Sequence, residues 1–387
     1  MAEETRLIRA GRAPQTLAKT VGPPIQRGST VLLPDAASLY DDDNQLTYGR
    51  QGLAAQSTLA DALATLEGAC GVALYPSGVA ALSGAMLALV RAGDAVWVVD
   101  TIYKPTRRFC DRVLARLGVE VSYYDPRQPA EALMAAAPAN LKLVVMEVPG
   151  SLSMEMQDVA ALAAAARARG ALSLIDNTWA AGCLFKPLEH GVDVSVQALT
   201  KYVGGHSDVF MGSAAAADEA IARQLAEGVL HMGWAVSGDD AYMMLRGLRT
   251  LPVRLARQGE SGVKVAAWLG GRPQVGQVLH PALPGAPGHE IWARDFSGAS
   301  GLFSFTLKPA PAAATAAFLD ALTLFGLGFS WGGFESLAID CDPQLKCRTH
   351  RHDYRGALIR LHIGLEDPDD LTEDLAQALA AYDAAAG

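Results

Sequence analysis

Two polar residues stand at the ends of two short apolar runs near the middle of the chain. Leu172–Ile175 is followed by Asp176, and Val192–Val196 leads to Lys201. Such runs indicate buried strands, and the carboxyl ends of neighbouring strands in an open α/β sheet converge on one crevice. An amine and a carboxylate there suit pyridoxal phosphate, because the amine can form a Schiff base and the acid can keep the pyridine nitrogen protonated. A strand-end aspartate with an unrelated surface lysine is the structural alternative.

Three further segments offer groups for a phosphate or a flat ring. The turn Ser77-Gly78-Val79 follows an apolar run and opens an Ala-rich helix, whose free N–H groups can bind a phosphate. Tyr48 and Arg50 supply a phenol and a guanidinium suited to the same anion. Tyr103 follows the next apolar run and can stack on a ring. An ordinary turn, a surface pair and a packed tyrosine are the respective alternatives.

A charged residue interrupts an apolar run near the C-terminus. Arg360 lies within Leu358–Ile363, which reads as a strand, and a buried cation is costly unless it is paired. The carboxylate of an amino-acid substrate would pair it well, and a structural ion pair is the alternative. Ser330 and Trp331 belong to a glycine-bearing loop of the kind that often lines sites, although a buried tryptophan is also compatible with the pattern.

The composition limits the classes of protein to which the chain can belong. With 387 residues, half of them apolar, the chain is long enough for two domains. The net charge of −9 without a basic run argues against nucleic acid or an anionic membrane as partner. Nucleotide-binding glycine motifs and the Gly-x-Ser-x-Gly elbow of serine hydrolases are absent from the sequence. We expect neither a signal peptide nor a membrane span.

The cysteines indicate a reducing compartment. There are five, at irregular spacing in a long chain, so we expect free thiols and a cytoplasmic protein. One group could suggest a metal: Cys341, Cys347, His350 and His352. Its spacings are not those of a zinc finger or ribbon, so we predict an exposed loop and no metal site.

Apolar runs alternate with helical patterns through the first two thirds of the chain. Strands are predicted at Gly71–Leu74, Ala95–Val99, Leu143–Val148, Leu172–Ile175 and Val192–Val196. Helices are predicted from an N-cap at Ser57 up to Gly68, at Val159–Arg169 with Asp158 as N-cap, and at Asp218–Leu230. This alternation predicts an α/β fold with a mostly parallel sheet. A helix at Val253–Leu269 then leads to strands at Gly301–Leu307, Leu324–Phe329 and Leu358–Ile363 and a last helix at Leu371–Ala386. We divide the chain into an irregular, extended N-terminal arm (1–51), a large domain (52–247) and a smaller α/β domain (248–387).

Taken together, these strings resemble the Cys/Met metabolism family of pyridoxal-phosphate enzymes. The block from Asp176-Asn-Thr-Trp to Thr200-Lys201-Tyr carries most of the resemblance, which runs from the arm to the last helix. Four local features favour its bacterial cystathionine β-lyase branch: Ala198, Trp331, the segment Val148–Ser151 and the tail 358–367. The resemblance implies fold type I of these transferases, the aspartate aminotransferase-like fold, with a mostly parallel large domain and a smaller C-terminal domain.

The same resemblance implies a role for each candidate residue. Lys201 would hold the cofactor and move the Cα proton, Asp176 would pair with the pyridine nitrogen, and Tyr103 would stack on the ring. The phosphate would be bound by Ser77, Gly78, Val79 and Thr200, together with Tyr48 and Arg50 of a neighbouring subunit. Arg360 would grip the substrate carboxylate, helped by Ser330, Trp331 and Tyr48.

The activity implied is carbon–sulfur lysis. By α,β-elimination, L-cystathionine would yield homocysteine, pyruvate and ammonia, in a homodimer or homotetramer that serves methionine biosynthesis. Residues 51–57 depart from the branch, so the leaving thiol is open. Broader cysteine-S-conjugate or cystine β-lyases, γ-acting members of the family, and a catalytically silent pyridoxal-phosphate-binding regulator are the alternatives.

Overall fold

The computed structural model describes residues 1–10, 20–40 and 46–387. The larger of its two β-sheets has seven strands. Its strands are β1 Gly71–Tyr75, β2 Ala95–Val99, β3 Glu120–Tyr124, β4 Leu141–Glu147, β5 Leu172–Asp176, β6 Val194–Gln197 and β7 Gly212–Ala216. The spatial order is β1-β7-β6-β5-β4-β2-β3. Both pairings of β7 are antiparallel and the remaining pairs are parallel. The prediction of a mostly parallel sheet is therefore confirmed.

A second, smaller sheet follows after a long helix. Its strands are β8 Val275–Leu279, β9 Leu302–Leu307, β10 Gly326–Leu327, β11 Leu337–Asp340 and β12 Leu358–His362. They lie in the order β10-β11-β12-β9-β8, with only the short β10–β11 pair parallel among the described strands. The prediction of a smaller α/β domain is thus confirmed. Two of its strands, at 275–279 and 337–340, were not predicted from the sequence pattern.

Helices connect and cover both sheets. Those within the described residues are α1 Glu3–Arg9, α2 Ala54–Glu67, α3 Gly78–Leu89, α4 Lys104–Phe109, α5 Ala130–Ala135, α6 Val159–Ala168, α7 Glu219–His231, α8 Gly238–Gly270, α9 His289–Asp295, α10 Ala312–Ala321, α11 Asp342–Leu345 and α12 Pro368–Ala386. None of them has both the length and the apolar character needed to cross a membrane. The 33-residue helix α8 leads from one sheet to the other, and the predicted division at residue 247 lies within it.

Side-chain caps explain where several helices begin. Asp158 accepts a hydrogen bond from the Ala161 amide at 3.0 Å, as the sequence predicted, and Asp218 accepts one from the Ile221 amide at 2.9 Å. The prediction that Ser57 caps α2 is wrong. The helix begins at Ala54 behind Leu53, because residues 55 and 59 already belong to its buried face, and it ends at Gly68 as predicted.

The N-terminal segment is less irregular than we predicted. Residues 3–9 form α1, with Leu7 buried against the apolar cluster between α2 and α8. A salt bridge of 2.9 Å joins Glu3 to Lys186 and fixes this helix to the large domain. Residues 11–19 and 41–45 of the predicted arm lie outside the described residues.

The predicted exposed loop around the Cys/His group is partly buried. Cys341 is fully buried, and the amides of Thr349 and His350 donate to the Asp100 carboxylate at 3.0 and 2.7 Å. All five cysteines are within the described residues and carry free thiols. In that part of the chain, no three His, Cys, Asp or Glu side chains are arranged to hold a metal ion.

Candidate active site

A cavity of about 580 Å³ opens where the two sheets meet. Tyr103, Asp176, Lys201, Trp331 and Arg360 all line it. Two of these residues come from the ends of neighbouring parallel strands, since Asp176 ends β5 and Lys201 follows β6. The small sheet contributes Arg360 from β12. The convergence that the strand-end pattern predicted is therefore present, and it is completed by a residue from the second domain.

The Lys201 amine lies in a mostly apolar setting. Burial, reinforced by the charge of Arg360, lowers the pKa of Lys201 to about 8, against the opposing effect of Asp176. Its Nζ donates a hydrogen bond to Ser330 Oγ at 2.9 Å and lies 5.5 Å from the centre of the Trp331 ring. An amine with this pKa is partly neutral at physiological pH, which a nucleophile and proton carrier requires.

Two carboxylates lie side by side at the floor of the cavity. Asp176 pairs in register with Glu147 of β4, and both side chains line the cavity. Burial raises the pKa of Asp176, although Thr178 donates to it from its hydroxyl at 2.5 Å and from its amide at 3.1 Å. Burial and the Asp176 charge raise the pKa of Glu147 well above its usual range. Glu147 also accepts a hydrogen bond of 2.6 Å from the Tyr103 amide, which positions that tyrosine.

Arg360 is a buried cation with spare hydrogen-bonding capacity. Its Nη2 donates to the carbonyls of Phe329 and Ser330 at 3.1 and 3.0 Å, whereas its Nε is buried and has no acceptor among the described residues. Burial lowers its pKa to about 10, so it stays charged at neutral pH. A guanidinium that lacks a carboxylate partner inside a cavity fits an anionic substrate group.

The loop of residues 330–333 packs directly against the Lys201 backbone. Gly332 has a φ of +86°, and a Cβ there would lie 2.8 Å from the Lys201 carbonyl carbon. Its amide donates to His362 Nε2 at 3.0 Å, and burial lowers the pKa of His362 to about 3, which keeps this ring a neutral acceptor. Only glycine fits this close approach, which holds Ser330 and Trp331 beside Lys201.

The predicted phosphate-binding turn packs against the strand that leads to Lys201. Ser77 caps α3 by accepting a hydrogen bond from the Ala80 amide at 3.1 Å. A Cβ on Gly78 would lie 2.4 Å from the Ala198 Cβ, so the first turn of α3 lies close to the Lys201 segment. The first amides of a helix, here those of Gly78 and Val79, have no acceptor within that helix. Thr200 exchanges hydrogen bonds with the Met211 backbone at 3.0 and 3.1 Å.

Tyr48 and Arg50 do not line the Lys201 cavity, and among the other predicted site residues the same holds for Ser77, Gly78, Val79, Thr200 and Ser330. Arg50 donates to the carbonyl of Leu230 in the last turn of α7 at 2.7 Å, and Tyr48 is half exposed. If Tyr48 and Arg50 bind the phosphate of a neighbouring subunit's cofactor, they are expected to lie outside the cavity of their own chain.

Comparison with known proteins identifies the family. Residues 4–380 match the model of the Cys/Met metabolism PLP-dependent enzymes. The chain belongs to this family. It is 47% identical to a putative cystathionine beta-lyase of Rhizobium johnstonii (98% of this chain, 96% of the relative) and 44% identical to the cystathionine beta-lyase of Escherichia coli (96% of each).

A solved member of the family has the same architecture. Cystathionine gamma synthase from Xanthomonas oryzae pv. oryzae, in complex with aminoacrylate and cysteine, superposes with a TM-score of 0.93 at 32% identity. The alignment covers 100% of this chain and 99% of that structure. The predicted fold and the predicted dependence on pyridoxal phosphate are therefore confirmed.

The residues of the cavity fit pyridoxal phosphate. Lys201 offers an amine of lowered pKa to the aldehyde, Asp176 offers a buried carboxylate to the pyridine nitrogen, and the first turn of α3 offers free amides to the phosphate. Asp176 suits this partner well, because a cation at the pyridine nitrogen offsets the cost of its burial. The Nε of Arg360, which has no acceptor in the described part of the chain, leaves a place for the substrate's carboxylate.

Sequence reasoning missed three kinds of residue at the site. Glu147 ends β4 as Asp176 ends β5, so the strand-end pattern that identified Asp176 also applied to it. Thr178 bonds both Asp176 and the Ala198 amide, and no spacing rule reveals that contact. Lys104 and Arg108 on α4 and Asp340 on β11 also line the cavity, which becomes visible only once the two domains are packed together.

Proposed function

We propose that the chain is a pyridoxal-phosphate-dependent carbon–sulfur β-lyase that cleaves L-cystathionine to homocysteine, pyruvate and ammonia. The observation that carries the proposal is the amine of Lys201, with its lowered pKa, in one cavity with a buried carboxylate and a buried guanidinium that has no carboxylate partner among the described residues. Relatives of 41–47% identity named as cystathionine beta-lyases support the choice of reaction.

Each residue that contacts the substrate would have one task in the reaction. Bound pyridoxal phosphate supplies the electron sink that stabilises negative charge on the substrate Cα. Arg360, with Ser330 and Trp331, orients the substrate by its α-carboxylate. Lys201 Nζ, poised by its pKa of about 8, accepts the Cα proton. The Cβ–S bond then breaks with its electron pair on sulfur, and hydrolysis of the remaining three-carbon unit yields pyruvate and ammonia.

The remaining candidate residues would hold the cofactor. Asp176 would pair with the pyridine nitrogen, Tyr103 would stack on the ring, and the phosphate would be bound by Ser77, Gly78, Val79 and Thr200. The close packing of α3 on Ala198 supports this arrangement, because it brings free amides to the Lys201 segment. Tyr48 and Arg50 would complete the phosphate site of a neighbouring subunit, and Tyr48 would also reach its substrate.

Product analysis tests the reaction. The purified, cofactor-loaded protein is given L-cystathionine, and the keto acid and thiol are identified. Pyruvate with homocysteine is expected, and Lys201→Ala should abolish both the cofactor absorbance and turnover. Equal amounts of 2-oxobutyrate and cysteine would instead assign a γ-acting member, and full turnover by Lys201→Ala would refute the proposed mechanism. A protein with bound cofactor that cleaves neither cystathionine nor other cysteine conjugates would be a silent regulator.

We also propose a homodimer, or a tetramer built from dimers, in which sites are shared between subunits. Highly exposed apolar residues in the N-terminal segment, including Leu32 and Tyr40, support an interface there. Mixing the inactive variants Lys201→Ala and Arg50→Gln under subunit-exchange conditions tests this. If Arg50 acts across the interface, hybrids contain one intact site and activity returns. If it acts within its own chain, no hybrid site is intact and activity stays absent.

The domain division and the location complete the proposal. We place the arm at 1–51, the large domain at 52–247 and the small domain at 248–387, supported by the two separate sheets. The free thiols of all five cysteines support a cytoplasmic location. We propose a small amino acid as the ligand of the cavity, because the buried guanidinium of Arg360 matches its α-carboxylate.

A further inference from the structure

Two buried polar side chains of α8 reach the two backbone segments that meet at the Lys201 cavity. Arg254 and Gln258 are four residues apart, so they lie on the same face of this helix. Neither side chain lines the cavity itself. Each donates to the backbone of a different segment, so α8 can fix the two segments relative to each other.

The guanidinium of Arg254 holds the turn that directly follows Lys201. Its Nη1 donates to the Tyr202 carbonyl at 2.7 Å and its Nη2 donates to the Val203 carbonyl at 3.2 Å. A Cβ on Gly205, whose φ is +70°, would collide with the guanidinium, so the turn wraps closely around it. The Gly205 amide donates to the Lys201 carbonyl at 2.8 Å. The backbone that follows Lys201 is therefore held by Arg254.

The same guanidinium is fixed to its own helix. Arg254 Nη2 also donates to the Gly247 carbonyl at 2.8 Å, and Nε donates to the Thr250 hydroxyl at 3.1 Å. Burial lowers the pKa of Arg254 to about 10, so the group stays charged at neutral pH. No salt bridge in the described part of the chain includes it. A buried cation without an acid is costly, and its hydrogen bonds to the turn give that turn one defined geometry.

Gln258 holds the loop on the other side of the cavity. It is fully buried, and its Nε2 donates to the Gly333 carbonyl at 2.6 Å, three residues beyond Ser330. The carbonyls of Phe329 and Ser330 in this loop accept hydrogen bonds from Arg360 Nη2. A shift of the loop would therefore move the guanidinium that is assigned to the substrate's α-carboxylate.

We propose that Arg254 and Gln258 are positioning residues of the site: Arg254 sets the orientation of Lys201, and Gln258 sets that of Arg360. The inference deepens the proposed function and rests on it for the identity of the reaction. The two residues act on different steps. Loss of Arg254 misplaces the amine that accepts the Cα proton, whereas loss of Gln258 misplaces the guanidinium that binds the substrate.

Two substitutions of Arg254 test its role. A misplacement of about 1 Å costs on the order of 100-fold in rate, so Arg254→Gln should lower kcat for L-cystathionine about 100-fold with KM little changed. The rate of pyridoxal-phosphate uptake, measured by stopped-flow absorbance, should fall to a similar extent. Arg254→Lys keeps the charge but offers one nitrogen where two now bind carbonyls, so it should lose about tenfold in both rates. If Arg254→Gln does not fold, Arg254→Lys carries the test.

Gln258→Met tests the second role, because methionine has a similar length and no donor. It should raise KM for L-cystathionine about fivefold and leave kcat within about twofold of the wild type. L-Alanine has no β-leaving group and gives a measurement that does not depend on turnover. Its Kd, obtained from the change in cofactor absorbance on binding, should also rise about fivefold.

Two control variants distinguish positioning from a general loss of structure. Arg257→Gln removes the same charge from an exposed position on α8, and it should change none of these quantities. Leu375→Ala removes a buried side chain from the core of the small domain, away from the cavity. Urea unfolding should show that Leu375→Ala lowers stability, while its kcat, KM and cofactor uptake stay at the wild-type values.

The outcomes separate this inference from the proposed function. If the Arg254 variants keep the wild-type kcat and uptake rate, or if Gln258→Met binds L-alanine as tightly as the wild type, the positioning role of that residue is refuted and the lyase assignment stands. Losses in Leu375→Ala that match those of the α8 variants also refute it. If the wild type binds cofactor and L-alanine but cleaves no cystathionine, the lyase assignment fails, and cofactor uptake and the Kd of L-alanine still decide both roles.

Discussion

The hydroxyl of Thr178 links Asp176 to the segment that leads to Lys201, so its removal should lower the stability of the protein. Its Oγ1 donates to Asp176 at 2.5 Å and accepts from the Ala198 amide at 2.9 Å. Thr178→Val keeps the shape and removes both bonds. A hydrogen bond to a charged group contributes about 2 kcal/mol, and a partly buried amide without an acceptor costs about 1 kcal/mol. The substitution should therefore lower the free energy of unfolding by about 3 kcal/mol.

The loss should depend on pH in a defined direction. Burial already raises the pKa of Asp176, and removal of a donor to its ionised form raises that pKa further. Below its folded-state pKa, Asp176 is protonated and the charged part of the penalty is absent. As the pH rises through that pKa, which lies above the ordinary aspartate value, the carboxylate ionises without its donor and the penalty grows.

Urea unfolding of the cofactor-free protein between pH 5 and pH 8.5 measures this difference. Thr178→Ser is the matched control, because it keeps the hydroxyl and loses only a methyl group. The valine variant should be the less stable of the two, and the gap should widen with pH. Equal stability of the two variants at all pH values would refute the hydrogen-bond argument. A large gap that does not change with pH would refute the role assigned to the Asp176 charge.

Three other changes have defined outcomes. The pKa of Lys201 is lowered to about 8. The rate of pyridoxal-phosphate uptake, followed by stopped-flow absorbance, should therefore rise about tenfold per pH unit and level off near pH 8. A rate that still rises above pH 9 would contradict this lowered pKa. Arg360→Gln should raise KM for cystathionine about 30-fold in steady-state assays without lowering stability, since the buried guanidinium is only partly paired. Gly332→Ala should lower kcat/KM and stability more than Gly170→Ala. Gly170 is the matched control, because its φ is also positive but a Cβ there would have no neighbour within 4 Å. Equal losses would show that the approach of Gly332 to Lys201 is not tight.

Much of the large domain could be predicted because its strands are buried on both faces. The run Ala95–Val99 and the run that ends at Asp176 are continuous and apolar, so their bounds and their polar ends were readable. Strand β7 was missed because Gly212–Ala216 consists of small residues that carry no strand signal. Strand β3, at the edge of the sheet, alternates exposed and half-buried residues and resembles a polar segment.

The sequence by itself determined the chemistry of this protein: the strand-end acid, the amine after the next strand and, through the family resemblance of the residues around them, the cofactor. These are local patterns, because parallel strands bring their carboxyl ends together whatever the rest of the chain does. Tertiary structure decided what depends on groups distant in sequence. Two such features arise from the packing of the small sheet against the large one: the Nε of Arg360, which has no acceptor among the described residues, and the approach of Gly332 to Lys201. Burial and neighbouring charge set the pKa values there, and neither is a property of any residue alone.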